Sequence, residues 1–374
     1  MAPPLMGAPR AGPLSWLASL QSLRGIAAVW VVLYHLDITL WGQGLPLIPV
    51  PGARIGWLGV DLFFVLSAFL LGQPFVEGRH RPYKTFLSDR FLRIAPAYYA
   101  AALLALASIL IVAAAPVRPQ WVAWSLLFVS NLHVDAYFAL NPAFWSLAVE
   151  MQFYLILPFL ARLFVGRRWP IGLALCVATA VLVRALTFVP SEVNILFIGT
   201  FGMPAYLGHF GVGLAACRLR TVARPWLAAA VAVPIVVVPT ILWIGWDSVV
   251  FGFDSLVGQA VVRPIGAAGF GLLILAAATP GGFQRSLGVA PLRWLGDISY
   301  SLYLAHIPAQ FLVAHAVGVA AHPAAFAWWG FAASMAAGVA LHYAVERPAE
   351  RWRHQRKLRS RAQAQAALPP APLS

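Results

Sequence analysis

Charged residues are scarce in this chain of 374 residues. Only 10% of the residues are charged, whereas 61% are hydrophobic and the mean hydropathy is +0.79. A soluble domain typically has about 25% charged and about 45–50% apolar residues. The composition leaves too little polar surface to cover a water-soluble globule, and it is equally far from that of a disordered chain. The class that remains is a polytopic membrane protein.

Several common signatures are also missing. The chain has two cysteines, Cys176 and Cys217, and both lie in apolar runs, so a disulfide framework is not indicated. We expect two buried small hydrophobic side chains instead. No two histidines stand at HxxH or HxxxH spacing near carboxylates, and hence no zinc or di-iron site is predicted. The nucleotide-binding glycine motifs and the GxSxG elbow of serine hydrolases are absent too.

What the chain does contain is a series of long apolar runs. About 20 apolar residues are needed to cross the roughly 30 Å hydrocarbon core, and such runs form helices in lipid. Segment 116–143 is apolar as well, but its prolines and polar residues predict an interfacial or re-entrant segment rather than a span. The runs predict an all-α fold of about ten transmembrane helices, at 22–40, 56–75, 94–115, 144–163, 170–189, 200–217, 226–244, 259–279, 298–318 and 326–345.

The basic residues predict the orientation of these helices. The net charge is +14, and most of the 26 lysines and arginines fall on one side of the membrane if the N-terminus is cytoplasmic. Both termini are therefore expected in the cytoplasm, and this sorting by side argues against nucleic acid as a partner. Residues 1–19 are expected to form a cytoplasmic N-terminal segment and 20–346 the transmembrane domain. Residues 347–374 are expected to form a basic, then Ala/Pro-rich tail that begins as a short surface helix.

Two ionisable residues share one face of the first predicted span. Arg24 and His35 are 11 residues apart, which is about 20° past three helical turns and a rise of roughly 16 Å. Taken singly, each has an ordinary explanation, a snorkelling arginine at the interface and a packing histidine. Together on one face they favour a functional role, because ionisable groups inside a membrane are costly.

Two carboxylates fall at a depth similar to that of His35. Asp61 lies in the second predicted span, and Glu150 lies in the fourth beside Trp145 and Ser146. A histidine oriented by a carboxylate is a common general-base arrangement, so Glu150, and after it Asp61, are candidate partners of His35. For Asp61 an equally good explanation is a carboxylate favoured by the positive end of a helix dipole.

Two further groups of polar residues suggest substrate contacts. Arg90 and Arg93 are three residues apart, so one helix face presents two guanidinium groups that suit phosphate. Contact with lipid headgroups is the alternative, and composition alone favours it. In the ninth predicted span, His306 has serine and tyrosine neighbours such as Tyr300. These side chains either line a polar pathway or join neighbouring helices by hydrogen bonds.

Taken together, these motifs resemble the acyltransferase type 3 family of integral membrane O-acyltransferases, which acylate bacterial surface glycans and some macrolides. The resemblance runs from about residue 20 to 350 in the order of the family's motifs. One departure is Ala68, where the family usually has glycine; another is that no esterase-like C-terminal domain follows, which suggests a stand-alone transferase. The matching positions are Arg24 and His35; Gly59 to Ser67; Arg90, Arg93, Ile94, Pro96 and Tyr98; Trp145, Ser146, Leu147, Glu150, Phe153 and Tyr154; Ser299, Tyr300, Tyr303, Leu304 and His306; and Glu346 to Pro348.

The resemblance implies an O-acyltransferase of the bacterial inner membrane. An acyl group, by default acetyl, would pass from cytoplasmic acyl-CoA to a hydroxyl of a sugar, glycan or macrolide acceptor, with no bound cofactor or metal. His35 would be the catalytic residue, with Glu150 and Asp61 as its candidate partners, by direct transfer or through an acyl-imidazole intermediate. The expected acyl-CoA ligands are Arg24, Arg90 and Arg93, and the expected substrate pathway is formed by Trp145, Ser146, Tyr300 and His306.

The competing hypothesis is a transporter or flippase without transferase activity. Buried charges at Arg184, Asp254, Arg263 and His306 would suit such a protein. Many transporters show inverted repeats, but the sequence shows none, and the Arg24–His35 pair has no counterpart in the second half. These observations favour the transferase.

Overall fold

The computed structural model describes residues 15–45, 48–79, 82–112, 117–188, 193–247 and 256–366. Asp254 and the outermost parts of the predicted N-terminal segment and C-terminal tail lie outside the described residues. Within these ranges the secondary structure is helical and contains no strand, which confirms the all-α prediction. The α-helices are α1 Ser15–Gly42, α2 Leu58–Val76, α3 Tyr83–Val112, α4 Pro119–Leu126, α5 Val134–Phe138, α6 Phe144–Leu160, α7 Trp169–Phe188, α8 Val193–Phe201, α9 Leu207–Leu219, α10 Pro225–Asp247, α11 Arg263–Ala278, α12 Gly282–Leu287, α13 Ala290–Val317, α14 Pro323–Leu341 and α15 Arg347–Ala366.

The protein is an all-α polytopic membrane protein. In the described part of the chain, nine helical segments are long and apolar enough to cross a membrane. The predicted ninth span lies in α13, which is not among the nine although it is 28 residues long. Its serines, tyrosines and histidines lower its hydropathy, and it packs inside the bundle against α1, α3 and α14. The nine segments are Leu17–Gly42, Leu58–Val76, Tyr83–Val112, Phe144–Phe164, Gly166–Phe188, Val193–Leu219, Pro225–Ile244, Gly258–Ala278 and Pro323–Arg359.

The segment between α3 and α6 does not span the membrane. Its described part holds only α4, a 3-10 turn at Ser130–Leu132 and α5. Eight residues, the length of α4, rise only about 12 Å, far less than the hydrocarbon core. Asn141 Nδ2 donates to the carbonyl oxygen of Leu304 at 2.9 Å and so ties the segment to α13. The prediction of a non-spanning segment at this place agrees with the structure.

The predicted span 200–217 is interrupted. Helix α8 ends at Phe201, a 3-10 turn follows at Met203–Tyr206, and α9 then begins. The turn leaves the carbonyl of Ala205 without a helical partner, and the Arg184 guanidinium donates to it from Nε at 3.1 Å and from Nη2 at 2.8 Å. A break in a membrane helix is stable only when such backbone groups find partners. The buried charge of Arg184 therefore has a structural use.

The C-terminal helix packs back onto the bundle. After α14 a π-helical turn at His342–Glu346 leads into α15, so the predicted tail begins as a helix. Lys357 Nζ lies 2.7 Å from Asp89 Oδ2, and the Arg353 guanidinium donates to the Asp89 carbonyl oxygen at 3.1 Å. These contacts hold α15 against the beginning of α3.

Candidate active site

Three arginines and a carboxylate line a cavity enclosed by α1, α2, α3, α6 and α13. The cavity has a volume of about 150 Å³, and its lining includes Arg24, Arg90, Arg93, Ser67 and Glu150. We call it the arginine cavity. Arg24 and Arg93 also line a second, open cavity of about 320 Å³. The arginine cavity is therefore reached from the end of the bundle where α1 and α3 begin, which we call the basic end.

The three arginines differ in their partners. The Arg93 guanidinium lies 2.8 Å from a Glu346 oxygen and 2.9 Å from a Glu350 oxygen, so two carboxylates already neutralise it. Arg24 is half-buried, and no carboxylate of the described residues lies within 4.0 Å of its guanidinium. Arg90 contributes to the same wall. Arg24 is accordingly the guanidinium best placed to meet an anionic ligand from outside the protein.

Glu150 lies in the arginine cavity and not beside His35. The Ser67 hydroxyl donates a hydrogen bond to Glu150 Oε1, and Ser67 Oγ lies 3.3 Å from the Tyr154 hydroxyl. Among the described residues, no hydrogen bond or ion pair joins Glu150 to His35. The prediction that Glu150 orients His35 therefore disagrees with the geometry. The helical spacing had given the depth of Glu150, but it does not tell which neighbouring helix the side chain faces.

Asp61 belongs to a separate buried cluster. Its Oδ1 lies 3.1 Å from an Arg263 guanidinium nitrogen, and its Oδ2 lies 3.4 Å from His209 Nε2. The same Arg263 nitrogen donates to the Tyr206 hydroxyl at 3.0 Å, and the guanidinium stacks over the Trp57 ring at 4.5 Å. Asp61 thus joins α2 to α9 and α11. The prediction that it serves as an alternative partner of His35 also disagrees with the geometry.

The side chain that contacts His35 is His306. His306 Nε2 lies 3.2 Å from His35 Nδ1, and the ring centroids are 4.8 Å apart. Because the His306 Nδ1–H donates to the Tyr303 carbonyl at 2.7 Å, His306 Nε2 carries the lone pair of a neutral ring. The His35 Nδ1–H then points to that lone pair and to the Val31 carbonyl oxygen at 2.9 Å. His35 Nε2 is left as an unprotonated acceptor, which is the form a general base needs.

Close packing of α1 on α13 brings the two histidines together. A Cβ atom at Gly25 would lie 2.6 Å from the backbone nitrogen of Gly296, so glycine at both positions lets the helices touch. His35 and His306 each follow ten residues later, which shows that the helices run parallel and in register. His306 was expected on the substrate pathway, and its pairing with His35 was not predicted. The equal spacing from Gly25 to His35 and from Gly296 to His306 was the signal that could have found it.

His35 lines a third, larger cavity toward the opposite end of the bundle, which we call the far end. This histidine cavity has a volume of about 500 Å³ and is bounded mainly by aliphatic and aromatic side chains from α1, α5, α8 and α13. Tyr34, whose ring centroid lies 5.0 Å from that of His35, and Tyr137 also line this cavity. Burial raises the pKa of Tyr137 above its ordinary value and keeps its hydroxyl a neutral donor.

The predicted pathway residues fall into two groups. Ser146 and Tyr300 line the arginine cavity together with Tyr303, whose hydroxyl lies 2.7 Å from that of Ser146. The Tyr303 and His306 rings, 5.7 Å apart, stand between the two cavities. Trp145 lines neither described cavity and instead packs in an aromatic cluster with Phe64, Phe201 and Tyr206. The described cavities therefore give no support to a place for Trp145 on the substrate pathway.

The described residues contain no cluster of three or more His, Cys, Asp or Glu side chains that could hold a metal ion. The polar groups around His35 are a second imidazole, backbone carbonyls and tyrosine hydroxyls. Such a set can move a proton to or from a hydroxyl or thiol, and it can place a nitrogen nucleophile next to a carbonyl carbon.

The sequence was also compared with known proteins. The family model described as an acyltransferase domain, that of the acyltransferase type 3 proteins, matches residues 17–347. The chain belongs to the acyltransferase type 3 family. No solved structure matches this acyltransferase type 3 chain.

The chain is similar to proteins whose names describe an activity, and three of them follow. The chain is 27% identical to the peptidoglycan O-acetyltransferase OatA of Listeria monocytogenes over 329 residues, which cover 78% of this chain and 49% of the relative. It is 26% identical to the O-acetyltransferase OatA of Staphylococcus aureus, over 78% of this chain and 50% of the relative. A putative acetyltransferase of Acidianus two-tailed virus is 27% identical over 77% of this chain and 82% of its own length. The chain spans about half the length of the two OatA proteins.

Proposed function

We propose that this protein is a membrane O-acyltransferase that moves an acyl group, by default acetyl, from acyl-CoA to a hydroxyl group, with His35 as the catalytic base. The observation that carries the proposal is the position of His35. Its ring lines the cavity at the far end and contacts His306, whose neighbour Tyr303 lines the arginine cavity, and hydrogen bonding leaves its Nε2 as an acceptor. Family membership supports the same reaction class.

We infer that the basic end lies on the cytoplasmic side of the bacterial inner membrane, with both termini on that side. Most of the lysines and arginines lie in the connections and helix ends at this end or in α15, among them Arg79, Arg162 and Arg218. Short basic segments remain on the cytoplasmic side during insertion. Acyl-CoA is a cytoplasmic metabolite, so this orientation brings the donor to the arginine cavity.

We assign the donor phosphates chiefly to Arg24, with Arg90 beside it. The Arg24 guanidinium faces the cavity and has no carboxylate of the described residues within 4.0 Å, so it is suited to phosphate, which a guanidinium binds through charge-assisted hydrogen bonds. Arg93 has a different role in this proposal, because Glu346 and Glu350 neutralise it and it thereby joins α3 to the beginning of α15. The acyl arm of the donor would follow the arginine cavity past Ser67 and Tyr303 toward His35, over an axial rise of roughly 16 Å.

The chemistry follows from the hydrogen bonds of His35. As the acceptor oxygen forms its bond to the thioester carbon, His35 Nε2 takes the hydroxyl proton, and the C–S bond breaks. The imidazolium formed in this way is stabilised because its Nδ1–H donates to the Val31 carbonyl and to His306. The proton then passes to the CoA sulfur, which leaves as the thiol. In the alternative order, His35 Nε2 attacks the thioester carbon, the C–S bond breaks and CoA leaves as the thiolate. The alcohol then attacks the acyl-imidazole, its hydroxyl proton passes to the thiolate, and His35 is regenerated.

The names of the relatives support a sugar hydroxyl as the acceptor and acetyl as the group transferred, since one is described as a peptidoglycan O-acetyltransferase. The transporter hypothesis has less support, because two of the buried charges that suggested it have structural partners. Arg263 pairs with Asp61, and Arg184 donates to Ala205 and Gln259.

The test is His35→Ala in the purified protein in lipid nanodiscs. Loss of general-base catalysis lowers the rate by roughly 10²–10⁴-fold, and loss of a covalent route lowers it further. Acyl-CoA consumption and acylated product would be measured by mass spectrometry, and donor binding by calorimetry should persist. His315→Ala is the matched control, since this histidine is exposed on the same helix as His306. A folded His35→Ala protein with the wild-type rate would refute the proposed function. An acyl adduct trapped on His35 would identify the covalent route.

A further inference from the structure

The histidine cavity is far more apolar than a site for a free sugar. Its lining includes Phe197, Ile307, Phe311 and Phe326, and its volume of about 500 Å³ is that of a typical small-molecule site. A free sugar has hydroxyl groups on every edge, and each one buried without a partner is destabilising. The cavity has few polar groups to offer. The Gln310 amide already donates to Val32 and Ser334.

The other polar side chains of the lining are few. Tyr34, whose ring centroid lies 5.0 Å from that of His35, and Thr39, which donates to the His35 carbonyl at 2.7 Å, are neighbours of His35 in α1, and Tyr137 adds a hydroxyl from α5. The lining thus has a few polar groups, the reactive histidine among them, and an apolar remainder. A ligand that matches this pattern has one reactive hydroxyl, with its polar neighbours, attached to an apolar body.

Some of the apolar side chains that line the cavity are exposed on the outside of the bundle. Phe138 in α5 is 63% exposed and Phe311 in α13 is 37% exposed, and both line the cavity. Phe311 follows His306 by five residues in α13, so it lies about 8 Å closer to the far end of the bundle. Exposed phenylalanines at this level of a transmembrane bundle face lipid, and they would let an apolar ligand enter from the bilayer without passing through water.

We propose that the histidine cavity binds the apolar body of the acceptor, so that the acceptor is an amphipathic alcohol that enters from the outer leaflet. This inference rests on the proposed function, because it assigns the acceptor side of that reaction. The donor reaches His35 from the basic end, and the rings of Tyr303 and His306 separate its cavity from the histidine cavity. The two substrates therefore approach His35 from opposite directions.

Two acceptors that share one sugar test the inference. Hexyl β-glucoside and methyl β-glucoside present the same hydroxyls, and each methylene that moves from water into the cavity raises binding about fourfold. With acetyl-CoA as donor and the protein in nanodiscs, we expect kcat/KM for the hexyl glucoside to be at least tenfold higher. Ala314→Trp, which fills the cavity from α13, should remove this preference and leave acetyl-CoA binding unchanged. Ala316→Trp, exposed on the same helix, is the matched control, and Ala314→Leu is a milder variant if tryptophan prevents folding.

Equal kcat/KM values for the two glucosides would overturn the inference and leave the proposed function standing. A second result would also overturn the inference. If Ala314→Trp changes the preference for hexanoyl-CoA over acetyl-CoA, and not the preference between the glucosides, the cavity holds the acyl chain of the donor. If neither glucoside is acylated, binding is tested directly. The probe is a hexyl glucoside that carries a photoreactive diazirine on its chain and labels the residues around it. If the probe labels cavity residues, and hexyl glucoside but not methyl glucoside prevents the labelling, the result supports the site and counts against the transferase. The absence of such labelling would refute the site.

Discussion

The pairing of His306 with His35 leads to a quantitative prediction for His306→Phe. This substitution keeps a buried aromatic ring of similar size, but it removes the acceptor that faces the His35 Nδ1–H. A hydrogen bond to a charged group contributes about 1.5–3 kcal/mol, against about 0.5–1.5 kcal/mol between neutral groups. Removing the His306 acceptor therefore destabilises the transition state, in which His35 becomes an imidazolium, by roughly 1–1.5 kcal/mol more than the ground state, in which His35 is neutral. This difference corresponds to a decrease in kcat of about 5- to 15-fold.

The assay separates positioning from packing. Steady-state kinetics with acetyl-CoA and an accepted alcohol should show that kcat falls while the KM for acetyl-CoA is unchanged. His306→Gln should restore part of the rate, because its amide oxygen can accept the same proton. A thermal melt checks that each variant is folded. If His306→Phe is folded and keeps the wild-type kcat, or if only its KM changes, His306 does not support His35 in the transition state and the reasoning is wrong.

The remaining predictions concern the charged residues around the two cavities. Arg24→Ala should weaken acetyl-CoA binding about 10- to 150-fold by calorimetry with little change in melting temperature, since a charge-assisted contact contributes about 1.5–3 kcal/mol. Arg93→Ala should instead lower the melting temperature, because it leaves the buried Glu346 carboxylate without its guanidinium partner; a larger loss of donor affinity than in Arg24→Ala would reverse the two roles. Asp61→Asn should destabilise the protein by about 3–5 kcal/mol, because Arg263 stays buried without its carboxylate. If Asp61→Asn keeps the wild-type stability but loses turnover, Asp61 has a catalytic role and this prediction is wrong.

Hydropathy and charge were enough to predict the class of fold. Long apolar runs must form helices in lipid, because each backbone group needs a partner within its own segment. The same rule explains why the prolines and polar residues of 116–143 indicated a segment that does not span. The interruption at Gly202 was not predicted, because the break is stabilised by Arg184, which lies in another helix. Helix α13 was predicted as a span, but its polar side chains, which pack inside the bundle, lower its hydropathy so far that it is not among the nine apolar segments.

The candidate site was predicted only in part. Helical periodicity alone placed Arg24 and His35 on one face of α1, and in the structure Arg24 lines the arginine cavity and His35 the histidine cavity. The family motifs singled out Glu150 and His306, but they did not say which side chains meet. In the structure Glu150 contacts Ser67, and His306 contacts His35.

The sequence by itself determined the depth of each polar group along its own helix, because the rise per residue is constant and the hydrocarbon thickness limits where a span begins and ends. The tertiary structure alone decided which groups face each other. The contact of Gly25 with Gly296 sets the register of α1 on α13 and thereby pairs His35 with His306, and packing of α2 on α9 and α11 directs Asp61 to Arg263. These contacts depend on how helices far apart in sequence rotate and pack against one another, and the periodicity of one helix does not specify that rotation.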